Sequence, residues 1–312
     1  MPYISITIPA YKNVPLLKRL LDSIAAQNFK DYEVIITDDT PDDSVQALVS
    51  GYSQINGLQY FKNSSPLGTP ENWNEGIRKA SGAWIKIMHH DDWFAKNDAL
   101  AILAKHANAN IACMFSGYQN IYIDDAEKSE IVQAGISIIE KINKTPWLLF
   151  ASNKIGPPSV TMIRNNMSEA YDNRLKWRVD TEYYIRMIQH KHRFHYIDDC
   201  LINVGMHSTQ VTQSTFLNPK IELAEGLYLL EKHGVEPLEN IWVYDAWWRL
   251  FRNLQIKNMQ DILKHAPGAW PMIVHKMVVD LSNIPPTLLS IGFCSKTLMA
   301  ISYLRRRHYI HA

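Results

Sequence analysis

Three short β-branched runs, Tyr3 to Ile8, Tyr32 to Thr37 and Trp84 to Met88, each break off into polar side chains, and helical periodicity fills the intervals between them. That alternation leaves few folds open. The period-two spacing of Tyr3-Ile4-Ser5-Ile6-Thr7-Ile8, closed by Pro9, marks a first strand. Val14, Leu17, Leu20, Leu21 and Ile24 then recur at helical spacing, with Asn13 placed to cap and Pro15 in the first turn. Tyr32-Glu33-Val34-Ile35-Ile36-Thr37 is apolar enough for a strand buried on both faces. Strand, helix, strand requires a parallel crossover. The pattern repeats through a helix over 43–52, a strand at Leu58-Gln59-Tyr60-Phe61, a helix over 71–80 and the strand at Trp84. The first hundred residues read as a doubly wound α/β unit.

Beyond residue 100 the signal thins. Helices are expected over 100–108, 138–150 and 178–190, and strands over 111–122, 159–163 and 195–197. From Pro219 onward only helical patterns occur, including 221–231 and 241–254, which places a boundary near residue 215.

Composition narrows the class. A chain of 312 residues, 46% hydrophobic and 20% charged, can bury a full core. Its net charge of +1 removes bulk attraction to nucleic acid, so no nucleic-acid partner is expected. Cys113, Cys200 and Cys294 contain no C-x-x-C pair, which argues against a disulfide framework or zinc knuckle and fits a reducing cytoplasm. The first residues lack the charged and apolar regions of a signal peptide. Thr287 to Leu304 is fairly apolar but holds Ser290, Ser295, Lys296 and Ser302 and meets Arg305-Arg306-Arg307, so it makes a poor membrane span. It suits docking on the anionic inner face of a membrane; an ordinary packing helix with a solvated tail is the alternative.

Chemistry concentrates where strands end. Ile85-Lys86-Ile87-Met88 empties into His89-His90-Asp91-Asp92-Trp93, and ionisable groups at the carboxyl end of a strand in an open α/β sheet face the ligand crevice. Asp and His together supply hard oxygen and borderline nitrogen donors, the set for a divalent cation and hence for an anionic, phosphorylated substrate. The alternative is a turn in which Asp92 caps the next helix. The second strand ends in Asp38 and Asp39, and the first in Pro9-Ala10-Tyr11. A nucleotide would span the three tips, with Tyr11 beside a base, Asp38 at its polar edge and Asp91 holding a metal on the diphosphate. No G-x-G-x-x-G or P-loop is present and no glycine precedes Gly51, so phosphate charge has to be met by a cation and isolated basic groups. Arg78 and Lys86 come within reach of phosphate while suiting exposed faces of a helix and a strand.

These residues resemble family 2 of the inverting glycosyltransferases over roughly residues 3 to 215. Ser5 to Asn13 is similar to the family's opening strand, Tyr32 to Asp39 to its strand ending in paired aspartates, and Asn72, Gly76, Ala80, Ser81 and Gly82 to the pattern before its metal strand. The resemblance implies a Rossmann-like A-type glycosyltransferase fold with a mixed central sheet. Residues 1–215 would form the catalytic domain, 1–100 the nucleotide-sugar half and 101–215 the acceptor half, with 216–312 a helical C-terminal region.

It also implies roles. The family's D-x-D-D becomes His89-His90-Asp91-Asp92 here, so metal binding carries to Asp91, and His89 stands where an acid is usual. An imidazole ligand favours manganese over magnesium. His207, in Asn203-Val204-Gly205-Met206-His207, resembles a histidine that returns to the metal and diphosphate. Asp180, behind Val179 where the family has Glu, corresponds to the catalytic base; a helix cap is its bland role. Asn153, Gly156 and Pro157, with Trp93, correspond to the acceptor region, and Pro9, Tyr11, Asp38, Asp39, Arg78 and Asp91 to the nucleotide-sugar site. The implied reaction moves a sugar from a nucleoside diphosphate donor, of uridine type, to a saccharide or lipid-linked acceptor in bacterial surface polysaccharide assembly. Two alternatives stand beside it: a metal-dependent phosphohydrolase, and a degenerate binding subunit of the same fold.

Overall fold

In the computed structural model, residues 1–108, 110–125, 128–167, 169–190, 193–207, 215 and 217–311 are described. Strands β1 (Ile4–Ala10) and β2 (Tyr32–Asp38) are buried at every position and pair in parallel, the polar Ser5, Thr7, Glu33 and Thr37 included. β3 (Leu58–Lys62) adds outside β2, and β4 (Trp84–Ile87) lies on the far side of β1, both in parallel. The sheet continues through β8 (Thr161–Arg164), β6 (Cys113–Tyr122), β9 (Phe194–Met206) and β5 (Trp93–Phe94) in the order β3-β2-β1-β4-β8-β6-β9-β5, with β7 (Ser129–Val132) on β6. β8 runs antiparallel to both β4 and β6, whereas β9 is parallel to β6, so the sheet is mixed.

Strand order reverses between β1 and β4. From β1 the chain passes through α1 (Val14–Ala25) to β2 on one side, and after β3 it returns through α3 (Glu71–Lys79) to β4 on the other. The carboxyl ends of β1, β2 and β4 therefore meet at a topological switch point. At the opposite end, Glu33 ties the strands together. Its carboxylate accepts from Ser5 Oγ at 2.6 Å, from Ser81 N at 2.7 Å and from Gln59 Nε2 at 3.0 Å.

Several local expectations need correction. The helix foreseen over 138–150 is two, α5 (Ile136–Lys144) and α6 (Leu148–Ala151), because Pro146 cannot continue a helix and disfavours helical backbone at Thr145. The strand foreseen at 195–197 extends to Met206; its pattern is broken by Asp198 and Asp199, beside register shifts at Gly117. Asn13 precedes α1 with a left-handed φ of 48° and no side-chain cap. Lys86 is fully buried, not on an exposed face, since β4 is flanked by β1 and β8.

Two compact units divide the chain: 1–144 with 154–173 and 183–210, and 145–153 with 174–182 and 211–312. The second is wider than the tail after residue 215 because it takes in two earlier segments. Its core holds Tyr244, Trp247, Trp248 and Phe251 of the helix Ile241–Asn253, and Phe150 stacks on Trp247 at 4.9 Å. The helix Pro219–His233 anchors segment 174–182: Glu225 accepts from the backbone N–H groups of Lys176, Trp177 and Arg178 at 2.6–3.0 Å, acting as a remote cap for α7 (Val179–Gln189). Among the described residues no helix is long and apolar enough to cross a membrane.

Glu33→Ala is expected to destabilise the protein by about 1–3 kcal/mol, because Ser5, Ser81 and Gln59 lose a common acceptor. The midpoint of urea unfolding measures it, and an unchanged midpoint refutes the role given to Glu33.

Candidate active site

The β4 tip is built around two adjacent carboxylates. Asp92 does not cap a helix; its Oδ1 accepts from Gly205 N at 3.1 Å. Asp91 Oδ2 meets His207 Nε2 at 3.0 Å. β9 thus supplies a partner to each acid, and it passes so close that a β-carbon on Gly205 would lie 2.3 Å from the Asp91 carbonyl oxygen. Only glycine fits there. Ser159 holds the other side: its Oγ accepts from His89 N at 2.9 Å, and its carbonyl accepts from Lys86 Nζ.

Ligand atoms of His89, Asp91 and Asp92 lie within 4.8 Å of one another. His89 Nε2 is buried and without a hydrogen-bond partner, while the ring packs on Trp73 at 4.7 Å. Burial lowers the His89 imidazole to about 4, which leaves it neutral at neutral pH. Burial first, then repulsion from Asp91, pushes Asp92 well above the carboxylate range. Burial also works to raise Asp91, but the His207 hydrogen bond and the nearby His90 and His89 outweigh it and hold Asp91 low. A neutral nitrogen donor without a partner, beside two acids that repel each other, is the donor set of a divalent cation. Burial likewise drops Lys86 to about 7, with Asp92 opposing the fall. Asp92, Ser159, Trp73 and Lys86 were not foreseen as parts of one cluster. Asp92 had a signal in the four-residue run itself; the others come from distant segments.

On the β1 and β2 side, Pro9 is buried and Tyr11 is 49% exposed. The paired aspartates are already engaged. Asp38 accepts from Thr40 N at 2.8 Å and Tyr60 OH at 2.7 Å, with Lys62 Nζ at 3.4 Å. Asp39 accepts from Asn63 Nδ2 and from the backbone N–H groups of Leu67 and Gly68 at 2.8–2.9 Å. Both are buried, Asp38 binding β3 through Tyr60 and Lys62 and Asp39 shaping the loop over 63–68. Arg78 is held by Glu71 and Glu75 of its own helix at 2.6 Å each, not aimed at phosphate. Trp93 carries the Arg19 guanidinium 3.5 Å above its ring and pairs with Asn203 across β5 and β9. Gly156, at a φ of 106°, accepts from Tyr184 OH at 3.2 Å; Pro157 then leads into the turn that delivers Ser159.

Asp180 belongs to the second unit. Its Oδ2 accepts from Asn153 Nδ2 at 2.8 Å and its Oδ1 from Thr181 N at 2.6 Å. Burial pushes its carboxyl up to about 6, with the Thr181 and Asn153 bonds opposing. A partly accessible carboxylate with that value is suited to take a proton near neutral pH.

The parallel β1–β4 half, with acids gathered at its switch point, has the architecture of the A-type glycosyltransferase fold. A family model described as glycosyl transferase family 2 matches residues 5–157, so this segment is a domain of that family. It is 32% identical over 117 residues to the GalNAc(5)-diNAcBac-PP-undecaprenol beta-1,3-glucosyltransferase of Campylobacter jejuni, covering 37% of this chain and 38% of that protein. It is 26% identical over 171 residues to an uncharacterized glycosyltransferase of Haemophilus influenzae, covering 53% of each. The chain thus spans less than two thirds of either relative. Among solved structures, S. aureus TarS 1-349 in complex with UDP-GlcNAc superposes with a TM-score of 0.54 at 12% identity, covering 99% of this chain and 89% of that one. The mannosyltransferase PcManGT of Pyrobaculum calidifontis, in complex with GDP-Man and Mn2+, gives 0.58 at 13% identity, covering 97% and 86%. At such identities the likeness concerns the fold.

Two outcomes are expected. Isothermal titration should show manganese binding more tightly than magnesium, with His89→Ala losing about tenfold or more of the manganese affinity; tighter magnesium binding removes His89 as a ligand. For Asp180, the folded-state value of about 6 exceeds the ordinary 3.8, so its contribution to stability is complete below about 3.8 and is lost as pH rises through 6. Unliganded Asp180→Asn should therefore be more stable than the parent at pH 7.5, by on the order of 2 kcal/mol, with the difference vanishing below pH 4. Denaturant midpoints at the two pH values check it.

Proposed function

We propose that the protein is an inverting, cation-dependent glycosyltransferase that moves one sugar from a nucleoside diphosphate donor, of uridine type, to a saccharide carried on a lipid diphosphate. The work would be done at the cytoplasmic face of the membrane in bacterial surface polysaccharide assembly. One observation carries the reading: His89, with its partnerless Nε2, stands beside Asp91 and Asp92 at the switch point of a family 2 domain. The Campylobacter relative, whose name specifies an undecaprenol-linked acceptor, supports the lipid carrier, and the UDP-GlcNAc complex of TarS supports a uridine donor.

His89, Asp91 and Asp92 are the residues that would hold the cation, which when bound supplies positive charge to the departing diphosphate. Tyr11 borders the base, and Asp38 and Asp39 set the wall beside it through the loop over 63–68. Asp180 is the base. As an acceptor hydroxyl oxygen attacks the anomeric carbon, its proton passes to the Asp180 carboxylate, and the bond from that carbon to the diphosphate oxygen breaks with the electron pair leaving on oxygen. A single displacement of this kind inverts the anomeric centre. Asn153 and Thr181 fix the plane of the carboxylate, so the proton's destination is set before the acceptor arrives. Gly156 and Pro157 are placed on the acceptor side as positioning residues. Arg78, engaged by Glu71 and Glu75, is assigned no part.

A thermal-shift screen of nucleotide sugars with and without manganese tests the reading. One uridine donor should stand out, adding about 2.7 kcal/mol at ~100 times its dissociation constant. Asp180→Asn should keep that shift while transfer falls about 10²-fold or more and the acid limb of the pH–rate profile, near pH 6, disappears. Near-normal transfer by Asp180→Asn refutes the base, and no donor binding at all leaves the degenerate subunit as the better account.

A further inference from the structure

The helix Gly292–Arg306 is inside out. Its inward face is largely polar: Ser295 and Ser302 are buried with Met299 between them, and Arg306 turns back to Asp280. Ser295 Oγ accepts from Trp248 Nε1 at 3.3 Å and from Arg252 Nη1 at 3.0 Å, while Ser302 Oγ lies 2.8 Å from Tyr244 OH and donates to Asp280 at 2.7 Å. The outward face carries the apolar residues. Phe293 is 83% exposed, Leu304 64% and Ile301 46%, positions spaced 8 and 11 residues from Phe293 and so on one side of a helix.

An ordinary surface helix has the opposite polarity, because apolar area left in water costs about 25 cal/mol per Å². The reversal extends past the helix. Lys296 lies 5.1 Å over the ring of Trp242, itself 55% exposed, and the preceding turn leaves Leu288 and Ile291 open. Cations flank this ridge: Lys296 and Arg307 fall to one side of Phe293 and Leu304 in helical projection, and Arg305 to the other. No acidic residue follows Asp280. An apolar ridge with an interfacial tryptophan, basic margins and a single neighbouring carboxylate, Glu239, itself paired with His311, is complementary to an anionic bilayer, where the ridge enters the acyl boundary and the cations meet headgroup phosphates. We infer that this face docks the protein on an anionic phospholipid surface.

The inference deepens the proposed action on a lipid-linked acceptor, but vesicle binding is read without donor or acceptor, so either can fail alone. The full chain is sedimented with vesicles of phosphatidylglycerol and phosphatidylethanolamine, and with phosphatidylcholine vesicles. Binding is expected to the anionic vesicles and to fall steeply on the neutral ones. Each cation near the surface contributes about fivefold, so Lys296→Gln/Arg305→Gln/Arg307→Gln should weaken partitioning about 100-fold. Phe293→Ser/Leu304→Ser should weaken it about tenfold or more. Both sets alter exposed side chains, and an unchanged melting temperature confirms that the variants fold. Equal binding by parent and variants overturns the inference, as does no binding to anionic vesicles. A concentration-dependent dimer abolished by Phe293→Ser, without vesicle binding, would assign the face to a second copy instead.

Discussion

Two adjacent carboxylates at the buried end of a strand set the terms for the first unit. Asp91 and Asp92 repel one another where water screens little, and each is kept in place by a partner from far along the chain: His207, just after β9, for Asp91, and Gly205 N of β9 with Ser159, from the segment before β8, for Asp92. Several otherwise unrelated features follow. Residue 205 has to be glycine so that β9 can pass over the Asp91 carbonyl, and Lys86 is buried where it offsets part of the negative charge and holds Ser159. A cation at His89, Asp91 and Asp92 would remove the remaining repulsion, so the site's own electrostatics favour its occupant.

Asp180 shows the same economy in the second unit. Its carboxyl is held at about 6 by burial, a condition that lowers stability at neutral pH and yet suits a proton acceptor. Asn153 and Thr181 donate to it without fully offsetting that burial, so it stays oriented and basic together. The helix Pro219–His233 then secures the segment that carries it, with Glu225 on the backbone just before α7 and Glu222 on Arg178. The helical region is thereby part of what holds Asp180 in place.

Much of this was legible in order of residues alone. Alternation and helical spacing locate β1, α1, β2 and β4, because these patterns are local and burial on both faces demands a continuous apolar run. The runs at Asp38-Asp39 and His89 to Asp92 mark strand tips because several ionisable groups in succession end a buried strand, whereas single ones such as Glu33 and Lys86 are accommodated within it. Resemblance to family 2 then singled out Asp180 and His207, which no local pattern distinguishes from a cap and a loop histidine.

Tertiary structure decided the partners. Nothing near Asp92 along the chain shows that Gly205 N will bind it, nothing near Lys86 shows that β8 will cover it, and the helical spacing of 292–306 does not say which face turns inward. Periodicity reports which residues share a side of an element, whereas burial depends on what packs against that side from a hundred residues away. The sequence by itself determined the parallel strands and the acids at their ends. Only the folded chain decided that Asp38 binds Tyr60 of β3, that Asp39 binds the loop over 63–68 and that His89 keeps a nitrogen without a partner, since these depend on segments distant along the chain.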